Sequence, residues 1–158
     1  MKTKLITAFL ICFFANLFIA QTLVKPADIK MPSIATFLKS KGYDIAEQTD
    51  TFVKLTNSHK SLLYMDLDAD KKYILFNVNI SIVTGTSKAK IDSLVNQINN
   101  VGMIRVGYQE SQNSLAFRYY FWVHGGYTNE TLEDAVAEFF LYQGDAYGLD
   151  KDKIISYN

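Results

Sequence analysis

The sequence predicts an α+β fold: an antiparallel five-stranded sheet packed with three helices, in the order α-β-β-β-α-β-β-α. Three observations predict it. Five stretches are rich in β-branched and aromatic residues with period-two alternation, and three others repeat apolar residues at helical spacing. The third is a concentration of rings: the only Trp and ten other aromatic residues lie between Tyr108 and Tyr147. Within that span, LAFRYYFWVHGGYTNETLEDAVAEFFL reads as one long strand, a glycine corner and one capped helix, and the core is expected to be densest there.

In chain order, Lys2 and Lys4 precede an uncharged run over residues 5–20, the layout of a secretory signal peptide. That run is shorter than the roughly 20 apolar residues a membrane span needs. We expect cleavage after Ala20, an exported protein (periplasmic or secreted, in a bacterium) and no stable membrane anchor afterwards. Cys12, the single cysteine, would leave with the signal, so the exported part has no disulfide and no thiolate. Residues 21–31 show no pattern and are expected to be a flexible tether. One domain then spans residues 32–149, and residues 150–158 are expected to form a frayed polar tail.

Pro32 suits the first turn of a helix, and Ile34, Phe37, Leu38 and Lys41 come next at helical spacing before Gly42. Residues 51–56, 61–67 and 73–83 read as three strands of an antiparallel meander, joined by the polar turns NSHK and DADKK. In the third, Ile74, Phe76, Val78, Ile80 and Ile82 share one face, with Asn77, Asn79 and Ser81 on the other. Thr86 or Ser87 can cap a second helix whose apolar stripe is Ile91, Leu94, Val95 and Ile98. Residues 103–108 and 115–124 are the fourth and fifth strands. Leu115, Phe117, Tyr119, Phe121 and Val123 face one way in the fifth, and Ala116, Arg118, Tyr120, Trp122 and His124 the other. Large groups on both faces place this strand inside the sheet. Gly125 and Gly126 turn the chain, Thr128 caps the last helix, and Leu132, Val136, Phe139 and Phe140 make its buried stripe. Gly144 and Gly148 are expected to loosen the end of that helix.

From FLKSKGY through the meander to YTNETLEDAVAEFF, with a last helix opening TxExLxxA, the chain resembles the YbjN-like family, whose domains share the fold of type III secretion chaperones. The family is described as sensory transduction regulators, and the related chaperones are small dimers that bind extended segments of secreted proteins. The resemblance implies a type III secretion chaperone-like fold and no enzymatic activity, and it supplies no catalytic residue to carry over.

Residue chemistry points the same way. With Lys2 and Lys4 set aside, fourteen basic side chains face sixteen acidic ones, without the basic excess that nucleic-acid binding needs. Asp66, Asp68 and Asp70 alternate as calcium ligands do, but Lys71 stands where such a loop needs Gly, and Asn77 where it needs Glu. His59 and His124 have no further ligands at metal-site spacing. The acids between Glu130 and Glu138 fit the first turn and solvated face of a helix. No catalytic, cofactor-binding or metal residue is therefore assigned, and no cofactor is expected.

One constellation stands out. A loop over residues 109–114 pairs Tyr108 with Leu115, and counting back sets Arg105 opposite Arg118, the only two arginines of the protein. Like charges directly opposite are unfavourable unless compensated, and Arg beside aromatic faces suits carboxylate recognition or cation–π contact. Arg105, Arg118, Tyr120, Trp122 and His124 are the expected binding or dimer face. The leading expectation is an exported, non-catalytic protein-binding, chaperone-like or regulatory domain. It would use a sheet face or edge to take an extended segment of another exported protein, as a homodimer. The alternatives are a structural, envelope-associated homodimeric module and an enzyme whose carboxylates are assembled only by folding.

Overall fold

The computed structural model of the protein describes residues 22–156; the expected signal peptide lies outside them. Among the described residues, three helices, α1 (Met31–Ser40), α2 (Lys88–Asn99) and α3 (Asn129–Leu149), accompany six strands. The strands are β1 (Asp44–Gln48), β2 (Phe52–Thr56), β3 (Leu62–Leu67), β4 (Tyr73–Ser81), β5 (Arg105–Gln109) and β6 (Ser114–Trp122). They form one antiparallel sheet in the order β1-β2-β3-β4-β6-β5. The expected α+β class, the meander and the three helices are therefore present, with six strands in place of five.

The added strand is β1. Its side chains are mostly exposed, it contains Asp44, Glu47 and Gln48, and a bulge interrupts its pairing with β2 between Ile45 and Glu47. A polar edge strand with one half-buried residue offers no alternation to read, which is why the sequence does not announce it.

Period-two alternation divides the sheet into two unlike faces. Val53, Leu55, Leu63, Met65, Ile74, Phe76, Val78, Leu115 and Phe117 point one way and are buried in a single core. Ile34 and Leu38 of α1, Ile91, Leu94 and Ile98 of α2, and Leu132, Val136 and Phe139 of α3 close over them. Phe76 sits at the middle, its ring centroid 5.6 Å from Tyr119, 5.9 Å from Phe121 and 6.1 Å from Phe139. Burying rings this size stabilises by about 1.5–3 kcal/mol each, so the covered face holds the fold together.

Both expected flexible ends are corrected where they are described. Val24 pairs with Tyr127, its N–H donating to the Tyr127 carbonyl at 2.8 Å, and Ile29 and Met31 are buried. These scattered apolar residues have no period because they dock one by one. At the other end the carboxylate of Asp150 accepts the N–H groups of Ile154 (2.9 Å) and Ile155 (2.8 Å), and both isoleucines enter the core. The tail also pairs with the end of β4 at Ile82↔Ile155.

The last helix departs from expectation as well, because Gly144 and Gly148 do not end it: α3 continues to Leu149, with Gln143 and Ala146 buried beneath it. Its start is as expected. Thr128 accepts from the Thr131 N–H while Thr131 returns a bond to the Thr128 N–H, a reciprocal cap. Ser87 precedes α2 without a side-chain cap bond, and the Thr86 hydroxyl donates to the Val83 carbonyl instead. At the glycine corner only Gly126 has a positive φ, +87°. A Cβ there would stand 2.9 Å from the Val24 carbonyl oxygen, so this position needs glycine both for its backbone angle and for room.

Candidate functional site

The other face of the sheet carries the candidate site, and the strand register dictates its layout. Arg105 lies directly opposite Arg118 and Tyr108 opposite Leu115, as the loop length implies. The loop closes through a short 3₁₀ turn (Glu110–Gln112) and Asn113, whose φ is +46°. Continuing across the sheet, Arg118 faces Asn77, Asn77 faces Tyr64 and Tyr64 faces Lys54. The neighbouring row runs Tyr120, Leu75, Asp66, Phe52, and Trp122 lies opposite Tyr73.

The residues on these rows are solvent-facing to very different degrees. Trp122 is 67% exposed and Tyr120 is 42% exposed. Tyr73 holds them in place: its ring meets Tyr120 edge-on at 5.0 Å and Trp122 at 5.7 Å. Phe52 and Tyr64 form a second ring pair at 5.9 Å, with the Lys54 ammonium 5.4 Å from the Tyr64 ring centre. Partial burial and the nearby Asp68 carboxylate push the Tyr73 hydroxyl above its ordinary pKa.

The two arginines are the electrostatic anomaly of this face. Both are exposed, and among the described residues neither forms an ion pair. Arg105 donates to the Asn99 carbonyl at 3.3 Å, a single neutral acceptor for a five-donor group. Asp66, an acid on the same face, accepts from the Asn77 amide at 2.7 Å. Five planar N–H groups on each guanidinium, beside unstacked aromatic surface, can take a carboxylate in bidentate fashion. An open cavity of about 350 Å³ runs along this pair, lined by Arg105, Gly107, Tyr108, Gln109, Ala116 and Arg118. Gly107 and Ala116 are opposite each other, so the low floor between the arginines and Gln109 is a consequence of two small residues meeting across the ladder.

His124 stands apart from the other expected site residues. It lies just past β6 in the turn towards Gly126, and its backbone N–H donates to the Lys72 carbonyl at 3.1 Å. Arg105, Arg118, Tyr120 and Trp122 are brought together on the ladder, and His124 is placed at its end. Tyr73, Leu75, Phe52, Tyr64 and Lys54 are the members that sequence reasoning did not assign to the site. Alternation in the third strand could have placed Tyr73 and Leu75 on this face, but not opposite Trp122 and Tyr120.

The sheet edges, the other surface open to an extended segment, are both obstructed. On β5 the Val106 N–H donates to the Asn99 side-chain oxygen at 2.8 Å, and the Asn99 amide donates back to the Val106 carbonyl at 2.9 Å. A side-chain amide from the end of α2 thus occupies the place of a further strand. On the opposite edge β1 is short, acidic and bulged.

Several of the acids that could carry chemistry have local partners. Asp68 accepts the Lys72 N–H at 3.2 Å, and Asp70 pairs with the Lys72 ammonium at 2.8 Å, so the alternating aspartates shape a hairpin turn. Lys72 holds the Asp70 carboxyl below its usual pKa through that bond. His59 lies in the turn before β3, its N–H donating to Asn57 at 3.0 Å. Glu133 of α3 pairs with Lys41 at 2.6 Å and ties the last helix to the end of α1.

No family model matches the chain, and no curated protein matches it in sequence. In three dimensions it is similar to YbjN from E. coli, whose crystal structure is described as that of "a putative transcription regulator", with a TM-score of 0.64 and 12% sequence identity. The likeness covers 88% of this chain and 100% of that one. At that identity it establishes the fold, which is YbjN-like as the resemblance in sequence implied, and it transfers no role to any residue.

Proposed function

We propose that the protein is a non-catalytic binding module of the YbjN type that takes an acidic segment of a partner protein on its open sheet face. The observation that carries this reading is the pair Arg105 and Arg118, set directly opposite each other, exposed, with no carboxylate paired to either among the described residues. Such a pair costs stability of about 0.2–1 kcal/mol in the free protein, and a bound carboxylate removes that cost. Trp122 and Tyr120 beside it supply apolar area that the Arg pair alone lacks, in the combination of aromatic and Arg anchors that dominates protein interfaces.

Two features support the face over an edge: the Asn99 amide on β5, and the bulge on β1. A two-fold homodimer through the same face sets arginine pair near arginine pair unless an acid of one copy reaches across, so charge favours a separate acidic partner. An exported location belongs to this proposal and rests on the basic end and the uncharged run over residues 5–20. The regulatory description of YbjN fits a module that acts by binding, while the near-neutral charge gives no support to a role on nucleic acid.

Calorimetry with a synthetic peptide alternating Glu and Phe, against its Lys and Phe counterpart, tests the reading. The acidic peptide should bind saturably, more weakly as salt rises, and the Arg105→Ala, Arg118→Ala double variant should lose at least tenfold in affinity. Equal binding of both peptides, or an unaffected double variant, would contradict it.

A further inference from the structure

A second place in the sheet is incomplete, and it is distinct from the arginine pair. β3 and β4 pair from Leu67↔Ile74 to Tyr64↔Asn77 and then part. β3 stays with β2 to Leu62↔Thr56, while β4 stays with β6 to Ser81↔Ser114. Beyond the split, the tail takes the same side of β4: the Ser156 N–H donates to the Ser81 carbonyl at 2.9 Å, and the Val83 N–H to the Ile154 carbonyl at 2.8 Å. Between these two ladders lies a cavity of about 380 Å³ lined by residues that include His59, Leu62, Asn79, Ser81, Gln143 and Tyr147.

The polar groups converging there are set by strand alternation. The Asp68 N–H donates to the Tyr73 carbonyl, so with period two the backbone groups of Tyr73, Leu75, Asn77 and Asn79 aim towards β3, and those of Asp66, Tyr64 and Leu62 towards β4. Leu62 and Asn79 would form the next hydrogen-bonded rung, and the ladder stops one rung short of it. At the inner end Gln143 of α3 is 2% exposed and its Oε1 has no hydrogen-bond partner. An unsatisfied buried acceptor costs roughly 1–3 kcal/mol.

Both walls are fixed by their own bonds, so the split is not a strand waiting to close. Asn57 Oδ1 accepts the N–H groups of His59 (3.0 Å) and Ser61 (2.9 Å) and locks the β2–β3 turn. The Asp150 carboxylate locks the tail. The cation on the wall, Lys60, is engaged with Asp44 at 2.7 Å, so the cavity does not offer a free charge for an anion. What remains is a set of neutral donors and acceptors where the register would place the next backbone rung.

We propose that this split is a binding site for a peptide group, filled by a short extended segment of a partner polypeptide. The segment's amide N–H and C=O complete the rung at Leu62 and Asn79, and a donor from it satisfies Gln143 Oε1. A neutral amide, with one donor and one acceptor in line, matches these groups, and preformed walls lower the entropy cost of taking it.

The blocked peptide acetyl-Ala-Ala-Ala-amide is the probe, with its backbone N-methylated counterpart as the control that keeps shape and loses the donors. Two-dimensional ¹⁵N NMR of the full chain should show saturable shifts at Leu62, Asn79 and the Gln143 side chain. The N-methylated peptide and the Gln143→Met variant should each bind at least tenfold more weakly, and the Arg105→Ala, Arg118→Ala variant should bind as the parent does. Absence of shifts at millimolar peptide, equal binding of the two peptides, or shifts confined to Tyr120 and Trp122 would overturn the proposal. The peptide comparison needs no variant, so it decides even if Gln143→Met fails to fold.

Discussion

Phe117 and Arg118 are neighbours in β6, yet one is fully buried beneath the helices and the other stands in solvent opposite a second arginine. The same contrast repeats along the sheet: Phe76 against Asn77, Phe121 against Trp122, Met65 against Tyr64. On the covered face the large side chains form one core with three helices, and the register is enforced because a slip by one residue would turn them outward. On the open face the groups are large, aromatic or charged without being needed for that packing. One face accounts for the stability, and the other carries chemistry that stability does not explain.

The sharpest way to break this contrast is to truncate one ring on each face. Phe117→Ala should cost about 3–5 kcal/mol, read as a large drop in the urea midpoint. Trp122→Ala, at a site 67% exposed, should change stability by no more than about 0.5 kcal/mol while weakening capture of the acidic peptide. Comparable destabilisation by the two substitutions would mean that the open face is structural.

Alkali probes the covered side through Tyr127, which is buried against Phe121 with ring centres 5.7 Å apart. Burial pushes its hydroxyl from 10.0 to about 12. Between those values the unfolded chain releases the proton and the folded chain holds it, so this contribution is intact below pH 10 and is lost as pH climbs towards 12. Two units correspond to about 2–3 kcal/mol. Chemical denaturation across that range should show a smaller loss in Tyr127→Phe than in the parent, and an identical slope would place the hydroxyl in water.

At the β5 edge, Asn99→Ala removes the amide that covers Val106 and should cost about 1–2 kcal/mol. It should also expose the edge to pairing, seen as concentration-dependent association by sedimentation. Unchanged stability and a strictly unchanged oligomeric state would show that Asn99 does not protect it. The smallest effect is expected at the arginines: Arg118→Ala should leave stability equal or raise it by up to about 1 kcal/mol, since a like-charge neighbour is removed. A clear loss by thermal denaturation would reveal a structural role for Arg118 in place of a binding one.

How much of this was legible in the sequence depends on how local the determining interaction is. The facing of Arg105 and Arg118 was readable because a short loop joins their strands and register comes from counting. The meeting of Tyr73 with Tyr120 and Trp122 was not, because α2 and β5 intervene between β4 and β6 and nothing local fixes that pairing. Strong period-two and helical stripes gave five strands and three helices, whereas β1, with Asp44, Glu47 and Gln48 facing water, left no stripe. Leu23 and Val24, Ile29, and Ile154 and Ile155 are short apolar islands in polar stretches, and the packing of Val24, Ile29 and the two isoleucines depends on partners distant in sequence. Gly144 and Gly148 read as loosening the end of the helix, yet tertiary packing of Phe139, Gln143 and Ala146 carries α3 past them. Gln143 gave no signal at all: one glutamine in a helix is ordinary until its neighbours are known.

Trp122 is the only tryptophan in the protein, so its fluorescence reports the open face alone. The most direct measurement is its emission, with acrylamide quenching, as the alternating Glu and Phe peptide is added to the parent protein and to the Arg105→Ala, Arg118→Ala variant. The account predicts a red-shifted, readily quenched emission in the free protein that moves to the blue and becomes protected as the peptide saturates, with the change lost in the variant. Emission that stays red and quenchable at saturating peptide, or a shift that persists without the arginines, would contradict it.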